Sequence, residues 1–264
     1  VSLTRRQRQR LGKALAVVIP VGLVAFLAAR ADWGRLQDKF FDPQVAGDLF
    51  PRIITVAVKV TIELTALSFL LGAAIGLVVA LLRLSPFRAY RWIGTVYVEI
   101  FRGIPALVTL ILVGFVIPIA LGTHVPGGDL GAKVTGLSVV AGAYIAEVLR
   151  AGILAVPQGQ AEAARSLGMS PARTMVSVVL PQALRIVVPP MTNELVLLLK
   201  DTSLVFVLGT TADTIELTKY GRDAVGRTFN GTPITVIALL YLCISLPLTR
   251  LSGLLEKRGA RSRR

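Results

Sequence analysis

One cysteine and one histidine in 264 residues exclude most metal and nucleophile chemistry before any pattern is sought. Cys243 has no second cysteine to bridge to, so no disulfide framework or thiolate metal site can form within the chain, and the residue is expected as a small apolar packing group. His124 falls in a connecting loop, which leaves a His-Cys metal cluster, a Cys-His dyad and a Ser-His-Asp set each short of a part. Charge is scarce as well. Only 17% of residues are charged and 54% are apolar, and the mean hydropathy is +0.70. That balance excludes an ordinary soluble domain and points to a membrane protein. There is no internal repeat with a period of about 20 to 50 residues.

What the chain does have is long apolar runs. A helix crosses the hydrocarbon core with about 20 largely apolar residues, and six stretches meet or approach this: 15–31, 53–82, 105–121, 136–154, 186–208 and 234–251. The expected fold class is an all-α membrane protein of six transmembrane helices. A cleaved signal peptide at the N-terminus is the alternative to the first span. The run is long for one, and Ala28-Ala29-Arg30 fits a cleavage site only loosely, so the uncleaved span is favoured. Gly72 and Gly76 put a small-xxx-small face on the second span, as close helix packing in lipid favours.

Acids are the rarer sign, 15 against 29 bases, for a net charge of +14. Nucleic acid is not the reading. With the N-terminus inside, the inner segments collect eighteen bases against Glu147, Glu162 and Glu256, while the outer segments hold nine of each sign. Retention of Lys and Arg on the cytoplasmic side orients multispan proteins, so both termini are expected in the cytoplasm. The basic tail 258–264 then rests on anionic membrane lipid.

The most informative segment is polar. Glu162-Ala163-Ala164-Arg165-Ser166-Leu167-Gly168 reads as a helix closed by a left-handed glycine, after which Ser170 caps a second helix with Pro171 in its first turn. Between two spans, such a unit offers a rigid knob to a partner outside the bilayer. In the fifth span, residues 186–199 make only about 21 Å of helix against a core about 30 Å thick. Lys200, Asp201, Thr202 and Ser203 are thereby expected within the membrane, with Asn193 and Glu194 on the same helix. Polar groups at that depth mark a solute path. The other placement has Lys200 snorkelling to the outer surface.

Glu99 and Arg102 could pair inside the membrane. The favoured reading is that 92–103 lies as an elbow along the inner surface and turns inward at Gly103-Ile104-Pro105. Lys59 and Glu63, one turn apart, are expected to satisfy each other. Gly221 to Thr228 nearly spells a phosphate-cradling loop but has Arg227 in place of lysine and no preceding strand, so nucleotide binding is excluded. Energy must come from another chain or from an ion gradient, the latter making a self-sufficient secondary transporter or channel.

Glu162-Ala163-Ala164, Gly168, Val178, Leu180 and Pro181 at this spacing resemble the EAA motif of permease subunits in binding-protein-dependent ABC importers; Val178 for the usual Ile is the one departure. Phe101 to Pro105, Ala143 to Glu147, Val156 to Gln160 and Lys200 to Leu204 are similar to the polar amino acid branch, the histidine and glutamine type. The resemblance covers about 51–257, a permease domain with its coupling segment at 156–185, and leaves 1–50 as an accessory anchor and outer connection. It implies a type I importer transmembrane fold, five core helices plus one, in a bacterial inner membrane. Its partners would be two ATPase chains, a second permease chain, an external solute-binding protein and an amino acid. ATP and magnesium would sit on the ATPases, with no cofactor in this chain. Ala163, Ala164 and Leu167 would be the apolar contacts to the ATPase, Glu162 and Arg165 the polar rim, and Gly168 the turn, followed by Leu180 and Pro181. Asn193, Glu194, Asp201, Thr202 and Ser203 would line the substrate path.

Overall fold

A chain that leaves water must satisfy its backbone N–H and C=O groups internally, and long apolar runs do so as helices. The computed structural model describes residues 5–261, with side chains over 16–254, and every regular element in it is helical. In order these are α1 Arg5–Arg30, α2 Trp33–Phe40, α3 Pro43–Asp48, α4 Ile53–Leu84, α5 Arg88–Gly103, α6 Ala106–Leu121, α7 Gly128–Leu154, α8 Gln158–Ser166, α9 Pro171–Leu208, α10 Leu217–Thr228 and α11 Thr232–Arg261. Among the described residues, α4, α7, α9 and Thr232–Leu254 of α11 are each long and apolar enough to cross a membrane. Two bent pairs raise the number to as many as six: Ala16–Arg30 with Trp33–Asp48 at 81°, and α5 with α6 at 112°. The tail beyond residue 261 lies outside the described residues.

Small residues decide how close α4 and α7 come. A Cβ on Gly72 would stand 3.0 Å from that of Ala141, and one on Gly76 would stand 2.7 Å from Ile145 Cγ2 and 3.0 Å from the Ala146 backbone nitrogen. The small-xxx-small face therefore serves packing within the chain. Leu64 of α4, Leu110 of α6, Leu137 and Ile145 of α7, and Leu198 and Val205 of α9 close around it as the main core. Gly76→Val is expected to destabilise the fold by about 1–3 kcal/mol through overpacking. Thermal unfolding in detergent checks it against Gly47→Ala, where nothing lies within 4 Å of the added carbon.

The elbow forms where the residues ask for it. Pro105 forces the residue before it out of helical geometry, and Ile104 is extended at φ −94° and ψ 137°. The elbow helix begins at Arg88, earlier than the expected residue 92, because Arg88 to Trp92 continue the amphipathic pattern. At the N-terminal side, α1 stands apart, with Val17, Val24 and Phe26 all more than half exposed. The connection after it is held to the start of α11: Gly231 N–H donates to Lys39 O at 2.7 Å, and Asn230 Nδ2 to Asp38 O at 2.8 Å.

One expectation changes here. Cys243 is exposed, because α11 packs through one face and Cys243 lies on the other. The near match to a phosphate loop is part of α10, where Gly221 seats Ile237 of α11, so its backbone N–H groups are committed to the helix.

Candidate functional site

At one end of the bundle, α8 and the start of α9 form the polar knob. Leu167 ends α8, and Gly168 follows at φ +83°, in the left-handed region. Gly168 N–H donates to Arg165 O at 2.9 Å and Met169 N–H to Ala164 O at 3.2 Å. This pair of bonds is the Schellman closure, which satisfies carbonyls that a helix end would leave bare. Ser170 Oγ then accepts from Arg173 N–H at 3.3 Å, and Pro171 takes the first turn.

The turn projects its tip outward. Leu167 is 85% exposed, and Glu162, Ala163 and Arg165 are exposed around it, as are Leu180 and Pro181 one element on. Ala164 departs from its expected role: at 6% exposure it faces inward, where α8 rests on the chain's own Met175–Val179 turns. Ala163, about 100° round the helix, stays exposed.

Above the knob, charged groups from distant parts of the sequence meet. Glu147 accepts from Arg83 of α4 and, at 3.0 Å, from Arg150, which ties the ends of α4 and α7. Arg102 does not pair with Glu99; its guanidinium lies over the Tyr144 ring, 5.2 Å from the centroid. Arg83, Glu99, Arg102, Tyr144 and Glu147 line an open cleft of about 480 Å³. Glu194 of α9 lies within the electrostatic reach of both Arg102 and Asp201. Lys59 and Glu63 pair at 3.6 Å on an exposed face of α4.

The expected path residues divide. Glu194, Asp201 and Ser203 are part-exposed on α9. Asn193 accepts from Ser252 Oγ at 2.8 Å, a tie between α9 and α11. Thr202 is fully buried, and its hydroxyl donates to Leu199 O at 2.7 Å, so it packs inside the chain where a place on the path was expected. The helix tightens to 3₁₀ winding at Thr202–Leu208, so the polar stretch does coincide with a change of backbone geometry.

Sequence reading missed a second polar cluster, at the opposite end of the bundle. Lys133 is fully buried; its ammonium donates to Asp129 at 2.7 Å and to Thr214 O at 3.1 Å. Asp129 also accepts from the Thr214 hydroxyl. Glu216 is fully buried too. It caps α10, accepting from Thr218 N–H at 2.6 Å and Lys219 N–H at 2.7 Å. Burial pushes its carboxyl above the ordinary carboxylate range, against those two donors, the Thr218 hydroxyl and the Lys133 charge. Both residues fall in or beside short connections, where a charge is normally solvated. The Asp129-Lys133 spacing of one turn was the available signal.

Residues 72–261 match the family described as binding-protein-dependent transport system inner membrane component. Among relatives, the chain is 38% identical to the L-cystine transport system permease protein TcyB of Bacillus subtilis (strain 168), over 67% of this chain and 70% of that one. It is 32% identical to the arginine transport system permease protein ArtQ of the same organism, over 78% and 91% respectively. A crystal structure of an amino acid ABC transporter with histidines superposes at a TM-score of 0.73 and 33% identity, covering 82% of this chain and 98% of that one. The helical bundle thus has a known architecture, and the chain belongs to the family of inner membrane components of binding-protein-dependent transport systems.

Proposed function

We propose that the chain is the permease subunit of an ATP-dependent importer of polar amino acids, paired with a second permease chain, served by an external solute-binding protein and driven by two ATPase chains. The observation that carries the reading is the exposed knob Glu162, Ala163, Arg165 and Leu167, held rigid by the Gly168 closure. An exposed leucine ringed by charge at the tip of a fixed turn has the form of an interface anchor with a polar rim. The knob end is cytoplasmic in this reading, and ATP and magnesium sit on the partner. Rigid-body movement of a docked ATPase pair would pull the knobs and, through α7 and α9, change access to the bundle interior.

The solute class follows from the charged groups. The Glu147 carboxylate is already held by Arg83 and Arg150, which leaves Arg102 for a solute carboxylate and Glu99 or Glu194 for an ammonium. A zwitterion fits that complement, and a cleft of about 480 Å³ holds one. Relatives of this chain carry names that specify cystine and arginine, which agrees with an amino acid and leaves its side chain open. The test is reconstitution of the whole complex in vesicles with a panel of amino acids. Loaded binding protein is expected to stimulate ATP hydrolysis severalfold for one group of polar amino acids. Accumulation by the permease alone on an ion gradient, without any ATPase, would instead establish a secondary transporter.

A further inference from the structure

Glu216 belongs to neither the knob nor the path, yet its carboxylate is fully buried and has two separate tasks. The first is local: it caps α10 through the N–H groups of Thr218 and Lys219. The second reaches across the fold. Tyr241 of α11 donates its hydroxyl to Oε2 at 3.5 Å and shares a hydrogen bond of 3.2 Å with Thr218 Oγ1. The next N–H, that of Leu217, donates to Thr61 Oγ1 of α4 at 3.1 Å. Capping alone does not call for this residue. A neutral serine or threonine caps a helix well and avoids the cost of burying a carboxylate. The longer, charged side chain is accounted for by the link to Tyr241.

We propose that Glu216 is a positioning residue for import: it fixes the start of α10 on Tyr241 of α11, and α10, whose Arg222 guanidinium lies 4.4 Å from the ring centroid of Phe206 in the 3₁₀ segment, then shifts as one body with the end of α9, beside Asp201, when solute passes. The proposal rests on the solute path argued above. Lys133, anchored to Asp129 and Thr214, supplies the opposite charge near the carboxylate and holds the 209–216 connection against α7.

Two variants separate the tasks in the reconstituted complex. Tyr241→Phe keeps the cap and removes the link; Glu216→Asp keeps a capping carboxylate and shortens it away from Tyr241. Each is expected to lower solute imported per ATP hydrolysed by about three- to tenfold, the fold-change of one lost buried hydrogen bond. The melting temperature should fall by no more than about 2–4 °C, and the half-saturating concentration of loaded binding protein should stay at the parent value. The double variant should be no worse than either single one, because both break the same link. Parent-level transport in both single variants overturns the proposal and leaves Glu216 a cap. Additive losses, or a fall in melting temperature of more than about 5 °C, overturn it as well. Asp201→Ala measured alongside distinguishes the failures: if it is impaired while the two variants are normal, only this proposal falls, and if it is also normal the path reading falls.

Discussion

Gly168→Asp is expected to cut solute uptake by the assembled importer about tenfold or more, a penalty of about 1.4 kcal/mol on the docked arrangement, while the chain still inserts and ATP hydrolysis continues. Two effects add. Residue 168 sits at φ +83°, where a side chain costs about 1–2 kcal/mol, and relaxing that strain rotates the exposed Leu167 tip. An aspartate there also adds a charge beside Glu162 on the rim. Nothing in the chain lies within 4 Å of the added carbon, so no packing within the permease is lost and the cost to folding is limited to that strain. Gly168→Ala should fall between, having the strain without the charge. Measuring uptake and ATP hydrolysis on the same vesicles decides it: normal uptake in Gly168→Asp would remove the docking role from this turn.

The same turn shows why part of the molecule was legible in the sequence. Gly168, Ser170 and Pro171 act on their own neighbours within a few residues, and their positions in the chain specify the geometry found. The elbow was legible for the same reason, since Pro105 acts on Ile104. So was the α4 face of Gly72 and Gly76, because helical periodicity places both on one side. The direction of Ala164 was not legible. The motif groups it with Ala163, but whether a helix face meets the chain or a partner depends on the Met175–Val179 turns packing beneath it. Arg102 over Tyr144, Lys133 on Thr214 and Glu216 with Tyr241 join residues far apart in sequence. A single sequence has no local signal for such pairs; they emerge only when the bundle brings α5, α7, α10 and α11 together. Thr202 shows the converse. That it shares a helix with Glu194 and Asp201 was inferable from the apolar run, but which side of α9 faces the core was decided by packing against α4, α6 and α7.

Asp201→Ala should have the second large effect, lowering uptake about ten- to a hundredfold, as expected when a hydrogen bond to a charged group worth about 1.5–3 kcal/mol is lost. Asp201 is part-exposed at the last α-helical residue before the 3₁₀ segment, and Glu194 lies seven residues back along the same helix. Seven residues are close to two turns, so the two carboxylates share a face about 10 Å apart along the axis. A solute ammonium leaving Asp201 would meet Glu194 next and then the Arg102 cleft, whose guanidinium can take the carboxylate end. Ser203→Ala removes a neutral partner only, and the expected loss is about three- to tenfold. The order of the two variants therefore tests the chemistry as well as the place: a charged end of the solute must be bound at Asp201 for its loss to exceed that at Ser203. Complex assembly, read from co-purification of the ATPase chains, should be unchanged in both, because neither residue lies at the knob. Uptake at the parent level in both variants would move the path off this face of α9. A larger loss in Ser203→Ala than in Asp201→Ala would keep the path and assign the solute a neutral group at this depth.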